Sequence, residues 1–453
     1  MAPSQDILSK SSRILIVGAG TVGLSAAFHL TERGYTNVKV IDRDTVPSAY
    51  SAGNDLNKIV RADYQDPFYA KLALKAISAW ETPFWSSFFR RTGYLVSASG
   101  SAPEKASVLS SKILSCINNQ PDFPTDSIHL TPESQSIRIH VPQLTGEIKG
   151  WSGYFNKHAG YAHASAALKM VYEELARRCV EFIFGEDGEA TEIEAISTKS
   201  SFVRGTPNIR TRSGAIHTAD IVILALGAYT AQLLPAAGGQ LTAKAWSVAH
   251  IQLTPEEANQ LAGMPVVNCQ DLGFFFEPDP DTGLLKLAAH GGGYTNLGTS
   301  VFYKYEVSLP PPEASQNRGI PVHDESSIRQ LLAETLPQFQ HRPLVDQFIC
   351  WCADTEDSEY VIDFVPEWDN LLLAGGDSGH AFKMFPVFGE WVVDTLEQGC
   401  QDLERWRWKN PERRGSEISW RIGDIRDIKD VKRSDKVDDF NRAAGSLKEA
   451  SWV

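Results

Sequence analysis

The chain has 453 residues, 42% of them apolar and 10% aromatic, enough for two or three domain-sized cores and against disorder except at the ends. A formal net charge of −13 speaks against nucleic acid and anionic membrane surfaces as partners, and an anionic substrate would need a local basic pocket. The six scattered cysteines are too few for a disulfide framework. Cys350 and Cys352, spaced C-x-C, lack the second pair of a structural zinc site, so no metal is expected. The opening MAPSQDILSKS lacks an apolar signal core, no stretch is apolar enough to span a membrane, and Ser451-Trp452-Val453 is no peroxisomal address. The expectation is an intracellular, cytoplasmic monomer.

Ile14 to Val17 form an apolar run suited to a strand buried on both faces. Gly18, Gly20 and Gly23 follow at G-x-G-x-x-G spacing, and Leu24, Ala27, Phe28 and Leu30 then repeat on one helical face until Gly34. Val38, Val40 and Ile41 predict a second strand ending at Asp42. Glycines permit the tight turn and close approach of backbone to a pyrophosphate, whose charge sits at the helix N-terminus. The terminal acid accepts hydrogen bonds from a ribose diol. The unit predicts a dinucleotide site and leaves FAD and NAD both open.

Residues 47–60 predict a polar loop turning apolar at Ile59-Val60, 68–90 a helix, and 93–97 a strand. Residues 98–127 predict a peripheral segment with a helix over 108–117. A helix over 163–178 and strands at 180–184 and 219–228 return to the first unit. Alternation over 242–305 predicts an antiparallel sheet, with turn chemistry at 278–283. A proline-rich loop over 306–325 precedes a helix over 327–336. Strands at 360–362 and 371–374, a glycine-rich loop at 375–379 and a helix over 387–396 close the block. The run GDIRDIKDVKRSDKVDD alternates in sign and predicts a solvated tail.

AGNDLNK at 52–58, EIKGW at 147–151, KAW at 244–246, HIQLTP at 250–255, GFFFEPD at 273–279, CWCADT at 350–355 and GDSGHAFK at 376–383 together resemble the fructosyl amino acid oxidases, or amadoriases. These belong with monomeric sarcosine oxidase and pipecolate oxidase. The resemblance spans roughly residues 12–410. It implies an α/β fold, with a Rossmann-like FAD-binding domain (12–90, 151–236 and 347–403) interleaved with an antiparallel-sheet α+β substrate domain (91–150 and 237–346), and a C-terminal extension over 404–453. It also implies FAD, an oxidase releasing hydrogen peroxide, and a small amino-acid substrate with a secondary amine.

Residue by residue, the resemblance implies covalent attachment of the flavin through Cys350, with Cys352 as packing. Gly18, Gly20 and Gly23 would hold the pyrophosphate, Asp42 the ribose, and the loop through Gly379 to Lys383 the pyrimidine end. Lys286, otherwise an ordinary lysine on a solvated sheet face, would stand beside the flavin and activate oxygen, with Lys58 adding a second charge. Arg61 and Lys383 would grip the substrate carboxylate. Amadoriases carry a glutamate four residues after the oxygen-activating lysine. Here that place is His290, as in sarcosine oxidase, which favours an N-methyl, pipecolate-like or saccharopine-like amino acid over a sugar amine. Fructosyl amino acid oxidation is the alternative within the enzyme class. An NAD(P) dehydrogenase, or a nucleotide-binding protein without catalysis, are the alternatives outside it.

Overall fold

A computed structural model describes residues 8–124, 126–195, 207–299, 306–409 and 421–434. Two sheets organise them. In the first, Ile14–Val17 lies between Val38–Ile41 and Ile221–Leu224, all parallel, with Leu371–Gly375 and Glu181–Ile183 parallel outside them and Val361–Phe364 antiparallel on one edge. All four residues of Ile14–Val17 are buried, the expected result for a strand covered on both faces.

One face is covered by the helices Thr21–Glu32 and Phe385–Gln398. They approach closely because Gly389 has no side chain: a Cβ there would stand 1.9 Å from the Ser25 carbonyl oxygen. Ser25 Oγ spans the gap, donating to Phe385 O at 2.7 Å and accepting from Gly389 N–H at 2.8 Å. Trp80, Trp85, Phe385 and Phe388 pack in the same core.

The second sheet is built on the long strand Thr242–Gln252. Leu284–Ala289 and Val345–Asp354 flank it, both antiparallel, and Gly273–Phe275 and Val266–Cys269 follow outward from Leu284–Ala289. Tyr94–Ala98 joins in parallel to Val266–Cys269, and Ser152–Asn156 pairs with it antiparallel.

Several expectations change. Ser152–Asn156 and Val345–Asp354, placed above in the nucleotide unit, pair within the second sheet; their neighbours in sequence belong to the first, so composition gives no boundary there. The helix expected over 68–90 spans Pro67–Trp80, and Phe89–Arg90 is a short strand. Within the predicted sheet region, Pro255–Leu261 is a helix, begun by reciprocal capping between Thr254 and Glu257. The helix expected from 327 begins at Val322.

The largest departure is the tail. Arg426–Asp427 pairs in parallel with Tyr294–Thr295, and Ile428 is buried. Lys432 O accepts from Val322 N–H at 2.9 Å. Alternating charge hid the few apolar residues that fasten this segment; 435–439 of the run lie outside the described residues.

Candidate active site

Two cavities meet where the sheets face each other. The first is lined by Gly18, Gly20, Thr21, Asp42, Arg43, Gly53 and Cys352 among others. Gly18 has φ +111°, and a Cβ there would stand 2.5 Å from Ala225 O, so only glycine leaves the turn open. Gly23 stands behind the turn rather than on the cavity: its Cβ would collide with Gly18 O at 1.9 Å, which makes it the glycine of close helix–strand packing. Asp42 accepts from Ala19 N–H at 2.7 Å and Asp44 N–H at 3.1 Å, bracing the turn while still lining the cavity. Arg43 lies 4.6 Å from the ring centres of both Tyr50 and Tyr229.

The second cavity, about 360 Å³, is lined by Lys58, Arg61, Lys286, His290, Cys350 and Lys383, which the sequence singled out. Lys58, Cys352, Gly379 and Phe382 line both cavities, so the two form one continuous trough.

Lys286 sits in Leu284–Ala289 and is 2% exposed, in place of the solvated lysine that alternation alone predicts. It donates to Asp55 Oδ2 and to Asn57 O, each at 2.6 Å. Lys58 donates to the same Asp55 oxygen at 2.9 Å. Burial, the largest influence, and the nearby Lys58 push Lys286 down to about 8, against the pull of Asp55. Burial also opposes the charge on Lys58, but Asp55 outweighs it and holds Lys58 above the ordinary lysine value. The two lysines in turn override burial and keep Asp55 well below the usual carboxylate range. Two ammonium groups on one carboxylate leave one positive charge on this wall. Among the described residues, Asp55 Oδ1 and both polar side-chain atoms of Asn57 are buried without a hydrogen-bond partner.

Cys350 and Cys352 lie two apart on Val345–Asp354 and both line the cavity. Cys350 Sγ is 3.9 Å from Ala52 O. A hydrogen bond from Cys352, with the charge of Lys58 working against burial, brings the Cys350 thiol down to about 7. That gives it thiolate character at neutral pH.

Arg61 follows the strand Asn57–Val60; it donates to Asp63 O and lies over the Tyr64 and Tyr94 rings. Lys383 is 6% exposed and donates only to His380 O, at 3.4 Å; no acid pairs with it among the described residues. Burial first, and then Arg61, hold it well below the ordinary lysine value. His290 Nε2 donates to Asn268 Oδ1 at 2.6 Å, and burial brings the imidazole down to about 4, with Arg421 and Arg61 adding to the effect.

Sequence reasoning missed Asp55, Asn57, Asn268 and Arg421. Arg421 comes from the segment read as a C-terminal extension and lines the cavity. Its guanidinium stands 3.4 Å from the Trp246 ring centre and 3.1 Å from Asp354 Oδ1. Asp55, in the loop just before Lys58, offered the nearest sequence signal, an acid three residues from a basic side chain.

The trough fits a dinucleotide in shape and lining, with the glycine turn at one end and Lys58, Lys286 and Cys350 at the other. The open glycine turn and the orphaned Asn57 carboxamide beside the lysines are the features that favour it. No helix among the described residues is long and apolar enough to cross a membrane.

Comparison with known proteins agrees. The sequence profile of the FAD dependent oxidoreductase family matches residues 13–395. L-saccharopine oxidase of Schizosaccharomyces pombe is 33% identical over 435 residues, covering 93% of this chain and 98% of the relative. Monomeric sarcosine oxidase of an Arthrobacter strain is 24% identical, covering 86% and 92%. Among solved structures, fructosamine oxidase (Amadoriase II) of Aspergillus fumigatus superposes with a TM-score of 0.84 at 34% identity, covering 94% of this chain and 97% of that one. The chain therefore belongs to the FAD dependent oxidoreductase family.

Proposed function

We propose that this FAD-dependent oxidoreductase is an oxidase of secondary amines. It converts the C–N bond of an N-substituted α-amino acid to an imine while O2 becomes H2O2. The observation that carries the reading is the cavity itself, in which carboxylate-binding cations, a neutral histidine and a buried lysine pair surround one space.

Lys383, buried without an acidic partner among the described residues, and Arg61 beside it are suited to a substrate carboxylate, and Tyr64 gives both cations an aromatic wall. His290, uncharged at neutral pH, favours the neutral amine, the form whose lone pair assists as the C–H bond breaks. FAD, when bound, supplies the two-electron acceptor that takes hydride from substrate and passes electrons to oxygen. Lys286, with Lys58, holds positive charge where oxygen gains negative charge. Gly18, Gly20 and the helix start hold the pyrophosphate, Asp42 the ribose, and the Gly379 loop the ring end. Cys350 would hold the ring through a thioether, whose formation leaves two electrons on the flavin for O2 to take up, and its lowered thiol suits that role. Arg421, across the cavity, meets the N-substituent or side chain, and suits a substrate with a second carboxylate.

Precipitation of the purified protein with acid tests the attachment. The pellet is expected to be yellow, and Cys350→Ser is expected to release its flavin to the supernatant. Colourless wild-type protein would remove Cys350 from this role. A peroxide assay on sarcosine, N-methyl aromatic amino acids, pipecolate, saccharopine and fructosyl-valine tests the substrate class. Turnover of an N-alkyl or cyclic amino acid is expected; turnover of fructosyl-valine alone would overturn the reading of His290 and Arg61. The deglycating alternative draws on the superposition with fructosamine oxidase and would need sugar contacts other than a glutamate at position 290. The protein is proposed to act as a monomer in the cytoplasm, and sedimentation of the purified chain checks the first part.

A further inference from the structure

His290 presents a fixed choice of nitrogen. Its Nε2 stands 2.6 Å from Asn268 Oδ1, an atom that only accepts, so Nε2 carries the ring proton. At the other end of the Asn268 carboxamide, Nδ2 donates to Tyr94 Oη. Asn268 is 7% exposed in the strand Val266–Cys269, registered against Val96 and Phe274, and its own carbonyl accepts from Ser97 Oγ at 3.2 Å. The imidazole packs on Phe274, ring centres 5.2 Å apart. Among the described residues, no protein donor or acceptor meets His290 Nδ1, while Tyr94, Asn268 and His290 all line the cavity.

We propose that Asn268 is a positioning residue that locks His290 as the Nε2–H tautomer and leaves the Nδ1 lone pair to accept the N–H of the substrate amine. The inference rests on the secondary-amine reading and gives it a recognition element: Arg61 and Lys383 take the carboxylate, and His290 takes the amine hydrogen. An acceptor there takes the amine N–H, whereas a protonated imidazole would repel the substrate nitrogen and offer it no lone pair. The charged groups that face His290 act in the same direction on balance. Arg421 from the C-terminal segment and Arg61 just after the Asn57–Val60 strand disfavour its protonation, and Asp271 from the neighbouring turn opposes them. Tyr94 acts only through Asn268.

The test uses the full-length holoenzyme and two variants. In wild type with 15N-labelled histidine rings, the His290 signal, assigned by its loss in His290→Gln, is expected to carry its proton on Nε2 at neutral pH. A proton on Nδ1, or on both nitrogens, would overturn the proposal. In Asn268→Asp the new carboxylate favours the imidazolium. Its kcat/KM is therefore expected to fall about 10- to 100-fold at pH 6 relative to wild type and to recover towards pH 9. Asn268→Leu is expected to lose activity at every pH without moving the profile. Propionate has a carboxylate and no N–H; its affinity, read from the flavin absorbance, is expected to stay within about threefold in both variants. An Asn268→Asp profile that superimposes on wild type, or propionate affinity that falls along with turnover, would assign Asn268 a merely structural role. If no secondary amine is oxidised, the functional reading fails, while the ring-nitrogen measurement still decides the tautomer.

Discussion

Lys286→Met is expected to slow the reaction of reduced enzyme with oxygen by about 10²–10³-fold, and to leave anaerobic reduction by substrate within about threefold. The side chain is nearly isosteric, so the buried volume stays filled while the charge is lost. In a dry cavity that charge is worth far more than in water. Stopped-flow measurement of the two half-reactions separates the effects. Equal slowing of both would make Lys286 a structural or substrate-binding group. The pH dependence follows from the same residue. Burial brings Lys286 down to about 8, so its charge is present below that pH and lost above it. Re-oxidation is therefore expected to decline above about pH 8. In Asp55→Asn the carboxylate that keeps Lys286 charged is gone, and the decline is expected to begin at lower pH.

Lys383→Met is expected to raise KM for an amino-acid substrate by about 10- to 100-fold, the equivalent of one charge-assisted bond. Re-oxidation of the reduced enzyme is expected to stay as in wild type, which distinguishes this lysine from Lys286. Its titration adds a second signature. In the free site, burial and Arg61 disfavour the ammonium form. A bound carboxylate restores it, so binding takes up a proton, and affinity for a simple carboxylate is expected to weaken as pH rises. Titration calorimetry in buffers of different ionisation enthalpy counts that proton. Zero uptake in wild type would deny the coupling, and an uptake that persists in Lys383→Met would place the proton elsewhere.

The first strand, the glycine turn and the helix behind it were legible because each leaves a local mark: a continuous apolar run, fixed glycine spacing, a helical repeat. Lys286, His290 and Cys350 were legible through resemblance, since nothing local separates a buried strand lysine from a solvated one. Asp55, despite its spacing to Lys58, was missed because a buried acid in a polar loop looks like a surface acid until the lysine more than two hundred residues later is folded against it. Arg421 was missed for a related reason. Alternating charge reads as solvent exposure, yet Ile428 and the pairing of Arg426–Asp427 seat the segment on the second sheet. The pairing of Ser152–Asn156 and Val345–Asp354 within the second sheet was not legible because strand partnership is a non-local property.

The strand that carries Cys350 belongs to the second sheet, whereas the glycine turn belongs to the first. A cofactor lying along the trough would be gripped at its two ends by different layers of the protein. Held at both ends, it would bridge the two layers, and heat would be expected to melt them together in the holoenzyme.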